Sequence, residues 1–504
     1  MTSIAFVKKI TKILVANRGE IAIRVMRTAS DMGIKTVAVY SDADKTASHT
    51  LFADEAVHIG PSPASESYLV IDKIINAAKL TGADAIHPGY GFLSENAAFA
   101  EEVEKEGIIF IGPSSHAIRV MGDKITSKQT VKSHNVPLVP GMDEPVSDVQ
   151  SAKKVAQEIG YPVMVKASAG GGGKGMRIVS DPKDFEEQME RAQSEARNAF
   201  GNDAVFIEKF ISSPKHIEVQ VLGDTHGNII HLFERECSIQ RRHQKVIEEA
   251  PSALMTPEKR KEIGEAAVNV ARSCSYHGAG TVEFIADDQF NFYFLEMNTR
   301  LQVEHPVTEQ ISGVDLVKEQ ILIAEGKELS IKQEDLKIIG HSIEVRVYAE
   351  DPENNFLPDT GTLLEYSIPK GPGIRVDDGF KKGQEISIYY DPMIAKLVAS
   401  GANREEAISR LRRAIDEYDI QGIKTTLPFC NYVLGHEEFI SGKFTTKFVE
   451  QYFDPEVLKQ TLSDEEEEMA ALVAVMATSE ATTLPKRTTK EATSAWRNRL
   501  KDHG

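Results

Sequence analysis

The stretch EFIADDQFNFYFLEMNTRLQVEHP, residues 283–306, crowds carboxylates, an amide and a guanidinium into a span that alternates like two strands around a turn. Strand side chains alternate faces, so Phe294, Glu296, Asn298 and Arg300 share one face while the strand persists. A hairpin loop with an even number of residues brings Glu283 onto that face across the ladder. Two carboxylates opposed across a strand pair repel unless a cation sits between them. Hard oxygens at that density suit Mg2+ or Mn2+ carrying nucleotide phosphates. A polar outer face in water explains a single glutamate; a facing pair favours the metal. Arg300, Gln302 and Glu304 follow directly. An arginine grips a planar anion with two parallel bonds, and a nearby glutamate of tuned pKa serves as a general base. Bicarbonate is such an anion with a proton to lose, although an Arg–Glu salt bridge accounts for these residues as well.

Upstream, SAGGGGKGM places Gly170, Gly171, Gly172 and Gly173 before Lys174 and Gly175. Without Cβ atoms the backbone approaches a ligand closely, and phosphate oxygens are the usual reason; a flexible linker is the plainer alternative. Gly170, Gly172 and Gly175 match G-x-G-x-x-G, but MRIVS after them reads as a strand, not the helix a dinucleotide fingerprint opens. A P-loop needs Ser or Thr after its lysine, and Gly175 stands there. Strand–loop–strand remains, a flap over phosphates as in kinases. Lys166 stands just before the flap and Lys124 lies in MGDK. In IQRRHQKVIEEAP, Arg241, Arg242, His243 and Lys245 form either an anion pocket or a solvated loop pairing with Glu248 and Glu249. His216 and His243 lack metal-ligand spacing, which leaves ligand contact or a satisfied fold histidine.

The elements that must position these groups read as an α/β chain. KILVANRG, EIAIRVMRTASDMG and IKTVAVYS form a β–α–β start, which predicts a parallel sheet with right-handed crossovers. Residues 1–120 read as a doubly wound domain with ANRGE and HPGYGF beyond the strand ends, where such sheets bind ligands. Residues 121–138 read as a helical linker, 139–210 as a small lid carrying the glycine flap, 211–335 as the main nucleotide-binding domain, and 336–455 as a mostly β domain with one amphipathic helix. From 456 a run DEEEE leads into a helix-like MAALVAVMA and a basic end with Trp496, the only tryptophan. That tail is either a solvated end or a docking segment. The 504 residues carry a net charge of −18, which argues against nucleic acid as the main partner. No apolar run is long enough for a membrane helix, the N-terminus lacks signal-peptide character, and Cys237, Cys274 and Cys430 form no metal or disulfide pattern. A cytoplasmic setting is the expectation.

Taken together, ANRGEIA, IHPGYGFLSEN, GDK, SAGGGGKGM, QRRHQKVIEEAP, EMNTRLQVEHPVTE and EVRVYAEDP resemble the biotin carboxylase family of the ATP-grasp superfamily, in order from about residue 10 to 450. The resemblance implies ATP- and bicarbonate-dependent carboxylation of biotin through carboxyphosphate. It implies ATP contacts at Lys124, Lys166, the Gly170–Gly175 flap, His216, Gln240 and His243, with Glu208, Lys209 and Ile211 at the adenine. It implies two Mg2+ or Mn2+ ions on Glu283, Glu296 and Asn298. Bicarbonate is expected among Lys245, Arg300, Gln302 and Val303, with Glu304 as its base and Arg346 stabilising the biotin enolate. Many relatives have arginine where Lys174 stands, which leaves that contact open. The sequence contains no biotin-attachment pattern of the A/V-M-K-M kind, so biotin is expected on a separate carrier protein. The other expected partners are a second copy, in a homodimer, and a carboxyltransferase subunit. An acyl-CoA carboxylase is the expected setting, with pyruvate carboxylase the alternative and a ligase of the carbamoyl-phosphate synthetase type a more distant one.

Overall fold

The structure is a computed structural model, and it describes residues 9–142, 146, 148–167, 176–200 and 204–459, with 469, 472 and 475 beyond them. Residues 1–454 form one compact unit and 455–504 a second.

The chain opens with strand β1 (Lys12–Val15), whose Ile13, Leu14 and Val15 are fully buried. A continuous apolar run of this kind suits a parallel strand covered on both faces. It is followed by helix α1 (Gly19–Asp31), then β2 (Lys35–Ser41), β3 (Glu55–Gly60), β4 (Ala85–His87) and β5 (Ile109–Phe110). All five strands are parallel, in the order β3-β2-β1-β4-β5. The order reverses at β1, which is the doubly wound arrangement expected. Beyond the ends of β1 and β4, the Asn17 side-chain amide donates to the Pro88 and Tyr90 carbonyls, both at 2.8 Å. The segments ANRGE and HPGYGF therefore meet, as the reading of a switch point requires.

The lid is a small antiparallel sheet of β6 (Val163–Ala167), β7 (Met176–Val179) and β8 (Val205–Lys209), ordered β7-β6-β8. The helices Val149–Ile159 and Phe185–Phe200 supply Ala152, Ala156, Phe185 and Met189 to its core. Strands β6 and β7 pair directly with one another. The glycine flap between them, Gly170 to Gly175 with Lys174, lies outside the described residues.

The largest sheet is antiparallel and eight-stranded. It contains β9 (Lys215–Gly223), β10 (Ile229–Arg241), β11 (Gln244–Ala250), β12 (Gly278–Ala286), β13 (Phe292–Asn298) and β14 (His341–Tyr348), with the strands Met393–Gly401 and Ile374–Asp378. Their order is β13-β12-β9-β10-β11-β14, then Met393–Gly401, then Ile374–Asp378. Strand β11 pairs with β14, so the spans 211–335 and 336–455, expected as separate domains, share one sheet. The helix Pro257–Ser273 packs on it, with Pro257 in its first turn and the Thr256 hydroxyl accepting from the Lys259 N–H at 3.3 Å.

In the second unit Pro455–Leu458 forms a short 3-10 turn. Met469, Leu472 and Val475 are helical and exposed. DEEEE and Trp496 lie outside the described residues.

Candidate active site

Three neighbouring strands set one row of carboxylates. Glu218 of β9 stands directly across from Glu283 of β12, and Glu283 directly across from Glu296 of β13. The parity condition for the second pair is not met, because the hairpin loop 287–291 between Ala286 and Phe292 has an odd number of residues. A bulge between Glu283 and Phe284 restores the pairing: Phe284 faces Phe294, while Glu283 faces Glu296. A bulge re-aims side chains in this way.

Two cationic side chains meet the row. Lys245 of β11 sends its ammonium to Glu218, to Glu283 at 3.1 Å and to Glu304 at 2.8 Å. His216, two residues before Glu218 on the same strand face, places Nε2 3.0 Å from Glu218 and 3.0 Å from Glu283. The Gln240 amide lies 3.1 Å from the other ring nitrogen of His216. Burial opposes the His216 imidazolium, but the hydrogen bonds to Glu218 and Glu283 outweigh it and raise the ring to about 9. Burial likewise opposes ionisation of Glu283, and Lys245 with His216 outweighs it, holding the carboxyl below its usual range. At Glu296 the charges of Lys124 and Lys245 offset the opposing influences only in part. Partial burial and the charge of Glu283 push its carboxyl up.

Glu304 begins the helix His305–Ser312 and is 1% exposed. One carboxylate oxygen takes Lys245 at 2.8 Å and the other takes the Arg346 guanidinium at 2.9 Å. Burial favours its acid form, and Lys245 and Arg346 together keep it ionised. Arg346 also donates to Glu248 at 2.6 Å and to the Tyr348 hydroxyl at 3.3 Å. Burial, with Glu304 nearby, raises the Glu248 carboxyl above its usual range. The Gln302 amide donates to Glu283 at 2.8 Å. Arg300 donates to Glu95 at 2.9 Å and to the Asn298 side-chain oxygen at 2.8 Å, while the Asn298 nitrogen donates to Glu283 at 2.8 Å.

At the other end of the cleft Lys166 pairs with Glu208, and Lys128 lies 3.5 Å from the same carboxylate. Lys209 turns its ammonium to the carbonyls of Gly160 at 2.8 Å and Tyr161 at 3.2 Å. The side chains of Glu208 and Lys209 are thus engaged by neighbouring protein groups. Lys124, Lys166, Glu208, Lys209, Ile211, His216, Gln240, His243 and Lys245 all line one cleft of about 1600 Å³. Glu283, Glu296, Asn298, Arg300, Gln302, Val303, Glu304 and Arg346 line it too. Every site residue expected from the sequence outside the glycine flap is brought together there.

Four residues at this site are not among those expected from the sequence. Glu218 follows His216 at strand spacing, a signal available in HIEVQ. Arg235, fully buried, reaches Gln220 and Thr308 at 2.9 Å, Thr281 at 3.1 Å, Glu218 at 3.3 Å and Gln302. In the sequence it stands between Glu234 and Glu236, one charge among others on a long strand, and gives no signal of burial. Glu248 reads in sequence as a surface partner of the basic loop, and Glu95 lies in IHPGYGFLSEN without being singled out there.

The oxygen set suits a hard divalent cation. Glu283 and Glu296 face one another, the Glu296 carboxyl stays raised because Lys124 and Lys245 only partly offset burial and Glu283, and turning the Asn298 amide adds a third oxygen.

Three family models match the chain in order. They are the biotin carboxylase N-terminal domain over residues 9–118, the carbamoyl-phosphate synthase L chain ATP-binding domain over 123–332, and the biotin carboxylase C-terminal domain over 344–451. The propionyl-CoA carboxylase alpha chain of Ruegeria pomeroyi is 55% identical over 462 residues, covering 88% of this chain and 68% of that one. The alpha subunit of mitochondrial methylcrotonoyl-CoA carboxylase from Rattus norvegicus is 54% identical, covering 88% of this chain and 62% of that one. A pyruvate carboxylase subunit of Methanothermobacter thermautotrophicus is 54% identical, covering 90% of this chain and 93% of that one. The chain thus spans about two thirds of the first two relatives and nearly all of the third. Among solved structures, the biotin carboxylase domain of a thermophilic 2-oxoglutarate carboxylase bound to bicarbonate superposes with a TM-score of 0.85 at 49% identity, covering 90% of this chain and 100% of that one. The biotin carboxylase subunit of a pyruvate carboxylase gives 0.84 at 51% identity, again over 90% and 100%. The ordered family matches, identities above half with these relatives, and one cleft that gathers the carboxylates and cations agree: the chain belongs to the biotin carboxylase family of ATP-dependent ligases.

Proposed function

We propose that this chain carboxylates biotin on a carrier protein, using ATP and bicarbonate, as the first half-reaction of an acyl-CoA carboxylase working in the cytoplasm. The observation that carries this is Glu304, an ionised carboxylate spanning Lys245 and Arg346 beside the facing Glu283 and Glu296. A base held between two cations stands next to a place for phosphates, which is what activating bicarbonate with ATP demands. Relatives' names support the reading: propionyl-CoA and methylcrotonoyl-CoA carboxylases share the whole length of this site. Pyruvate is the alternative acceptor, since a pyruvate carboxylase subunit is as similar to this chain as the acyl-CoA carboxylases are.

Each residue then has a task. Lys124, Lys166, His216, Gln240, His243 and the flap residues Gly170–Gly175 hold the nucleotide, whose base meets the backbone of Glu208–Ile211. A neighbouring structure holds MgADP and bicarbonate together. Glu283, Glu296 and Asn298 hold the divalent ions, which supply charge neutralisation for the triphosphate. Arg300, Gln302, Val303 and Lys245 orient bicarbonate. Glu304 takes its proton, an oxygen attacks the γ-phosphorus, and ADP leaves. The resulting carboxyphosphate breaks into CO2 and phosphate, which removes the biotin N1 proton. Arg346 stabilises the enolate that forms. The closed lid excludes the water that would hydrolyse the intermediate. The proposed partners are the carrier, a second copy of this chain and a carboxyltransferase subunit; a dimer is named in a neighbouring structure.

The test is ATP cleavage by the purified chain with Mg2+ and bicarbonate, with and without free biotin. Cleavage that rises with biotin and needs bicarbonate supports the assignment; cleavage indifferent to both contradicts it. Reconstitution with a biotinylated carrier, a carboxyltransferase and labelled bicarbonate, offering CoA thioesters and pyruvate in turn, identifies the acceptor.

A further inference from the structure

Lys396, in the strand Met393–Gly401, is a buried cation to which the reaction scheme gives no task. Its side chain is 0% exposed, and its ammonium lies 3.3 Å from Glu20 and 4.0 Å from Asp377. Burying an ammonium is costly unless it is paired. Asp377 is already held by Arg375 through two bonds of 3.0 and 2.7 Å. Glu20 is therefore the carboxylate that chiefly balances Lys396. The third contact is of another kind: the ammonium donates to the Val303 carbonyl at 2.9 Å. Val303 is the residue directly before Glu304.

The register explains why this contact matters. Lys396 stands directly across from Arg346 in the antiparallel ladder, so the two side chains leave one face of the sheet as neighbours. Arg346 holds the Glu304 carboxylate at 2.9 Å, and Lys396 holds the preceding carbonyl at 2.9 Å. Two adjacent cations thus clamp two consecutive residues of the loop that follows β13, one by its side chain and one by its backbone. Glu20 closes the arrangement from the first turn of α1, where it also accepts from the Tyr90 hydroxyl.

We propose that Lys396 is a positioning residue for bicarbonate: by anchoring the Val303 carbonyl to the sheet that carries Arg346, it fixes the direction in which the Val303 backbone and the Glu304 carboxylate face the anion. The inference rests on bicarbonate being the ligand of this loop.

Bicarbonate-dependent ATP cleavage by Lys396→Met tests it, with nucleotide affinity measured separately by equilibrium titration. Loss of one charge-assisted bond at the loop raises the KM for bicarbonate by about tenfold or more, while the nucleotide Kd moves by less than about twofold. The wild-type chain separates the two readings. If it cleaves ATP equally well without bicarbonate, the assignment of the loop fails. If it requires bicarbonate and a folded Lys396→Met keeps the wild-type KM, the positioning role alone fails. Should the single variant not fold, Glu20→Gln with Lys396→Met removes the orphaned carboxylate and is assayed in its place. A double variant that also fails to fold, or that loses nucleotide and bicarbonate alike, makes Lys396 a structural residue and overturns the proposal.

Discussion

The base role proposed for Glu304 depends on two opposing influences balanced at one carboxylate. Burial favours the protonated acid, and Lys245 and Arg346, one on each oxygen, favour the anion. Replacing it with alanine removes the proton acceptor and leaves both cations in place. Glu304→Ala is expected to lower bicarbonate-dependent turnover by about 10²–10⁴-fold while nucleotide binding, followed by titration, stays near wild type; equal loss of both contradicts the role. Glu296 makes a different prediction. It is the member of the facing pair whose carboxyl stays raised despite Lys124 and Lys245, so Glu296→Gln should raise the Mg2+ needed for half-maximal activity by about tenfold or more. An unchanged Mg2+ dependence removes Glu296 from the metal site. Legibility at this scale follows charge type. Glu296, Arg300 and Glu304 sit in one short span and are readable from alternation and spacing, whereas Glu283 faces Glu296 only through the bulge. Glu218 shares a strand signal with His216, but one carboxylate beside one histidine does not stand out. Arg235 is invisible because a buried arginine has value only through partners on Gln220, Thr281 and Thr308, which adjacency in sequence does not announce.

At the scale of elements, the fold is legible where periodicity is local. β1, α1 and β2 announce a parallel start, and the five-stranded order follows. The boundary at 335/336 divides spans that share a sheet, because pairing of β11 with β14 spans almost a hundred residues of sequence and leaves no local trace. The bulge at Glu283 is hidden for a similar reason: alternation gives the face but not the slip that restores it. Tight seams between elements are also open to test. A Cβ on Gly379 would lie 2.6 Å from the Glu20 backbone nitrogen and 2.9 Å from the Gly19 carbonyl carbon, at the first turn of α1. Neither is a flexible side-chain end that can swing away. Gly379→Ala is expected to destabilise the chain by about 1–3 kcal/mol, read as a lowered denaturant midpoint; a midpoint equal to wild type contradicts the tight seam.

For the molecule as a whole, two fully buried histidines make the N-terminal sheet sensitive to acid. Burial lowers His49 and His87 to about 4, whereas in an unfolded chain each protonates near 6.5. The stability gained by keeping them neutral is fully present above about pH 6.5 and is lost as pH falls towards about 4. The loss amounts to roughly 3 kcal/mol per histidine at most. Denaturant midpoints should fall steadily through that window, and a flat profile contradicts two buried neutral imidazoles. Among the described residues no helix is long and apolar enough to cross a membrane, and Cys237, Cys274 and Cys430 are buried free thiols. The proposed reaction joins two substrates in one cleft: an oxygen of bicarbonate, freed of its proton by Glu304, would attack the γ-phosphorus of ATP. Supplying 18O-labelled bicarbonate with ATP, Mg2+ and biotin, and reading the released phosphate by 31P NMR, follows that oxygen directly. One labelled oxygen is expected in each phosphate; phosphate released without label would mean that water, not bicarbonate, is the nucleophile.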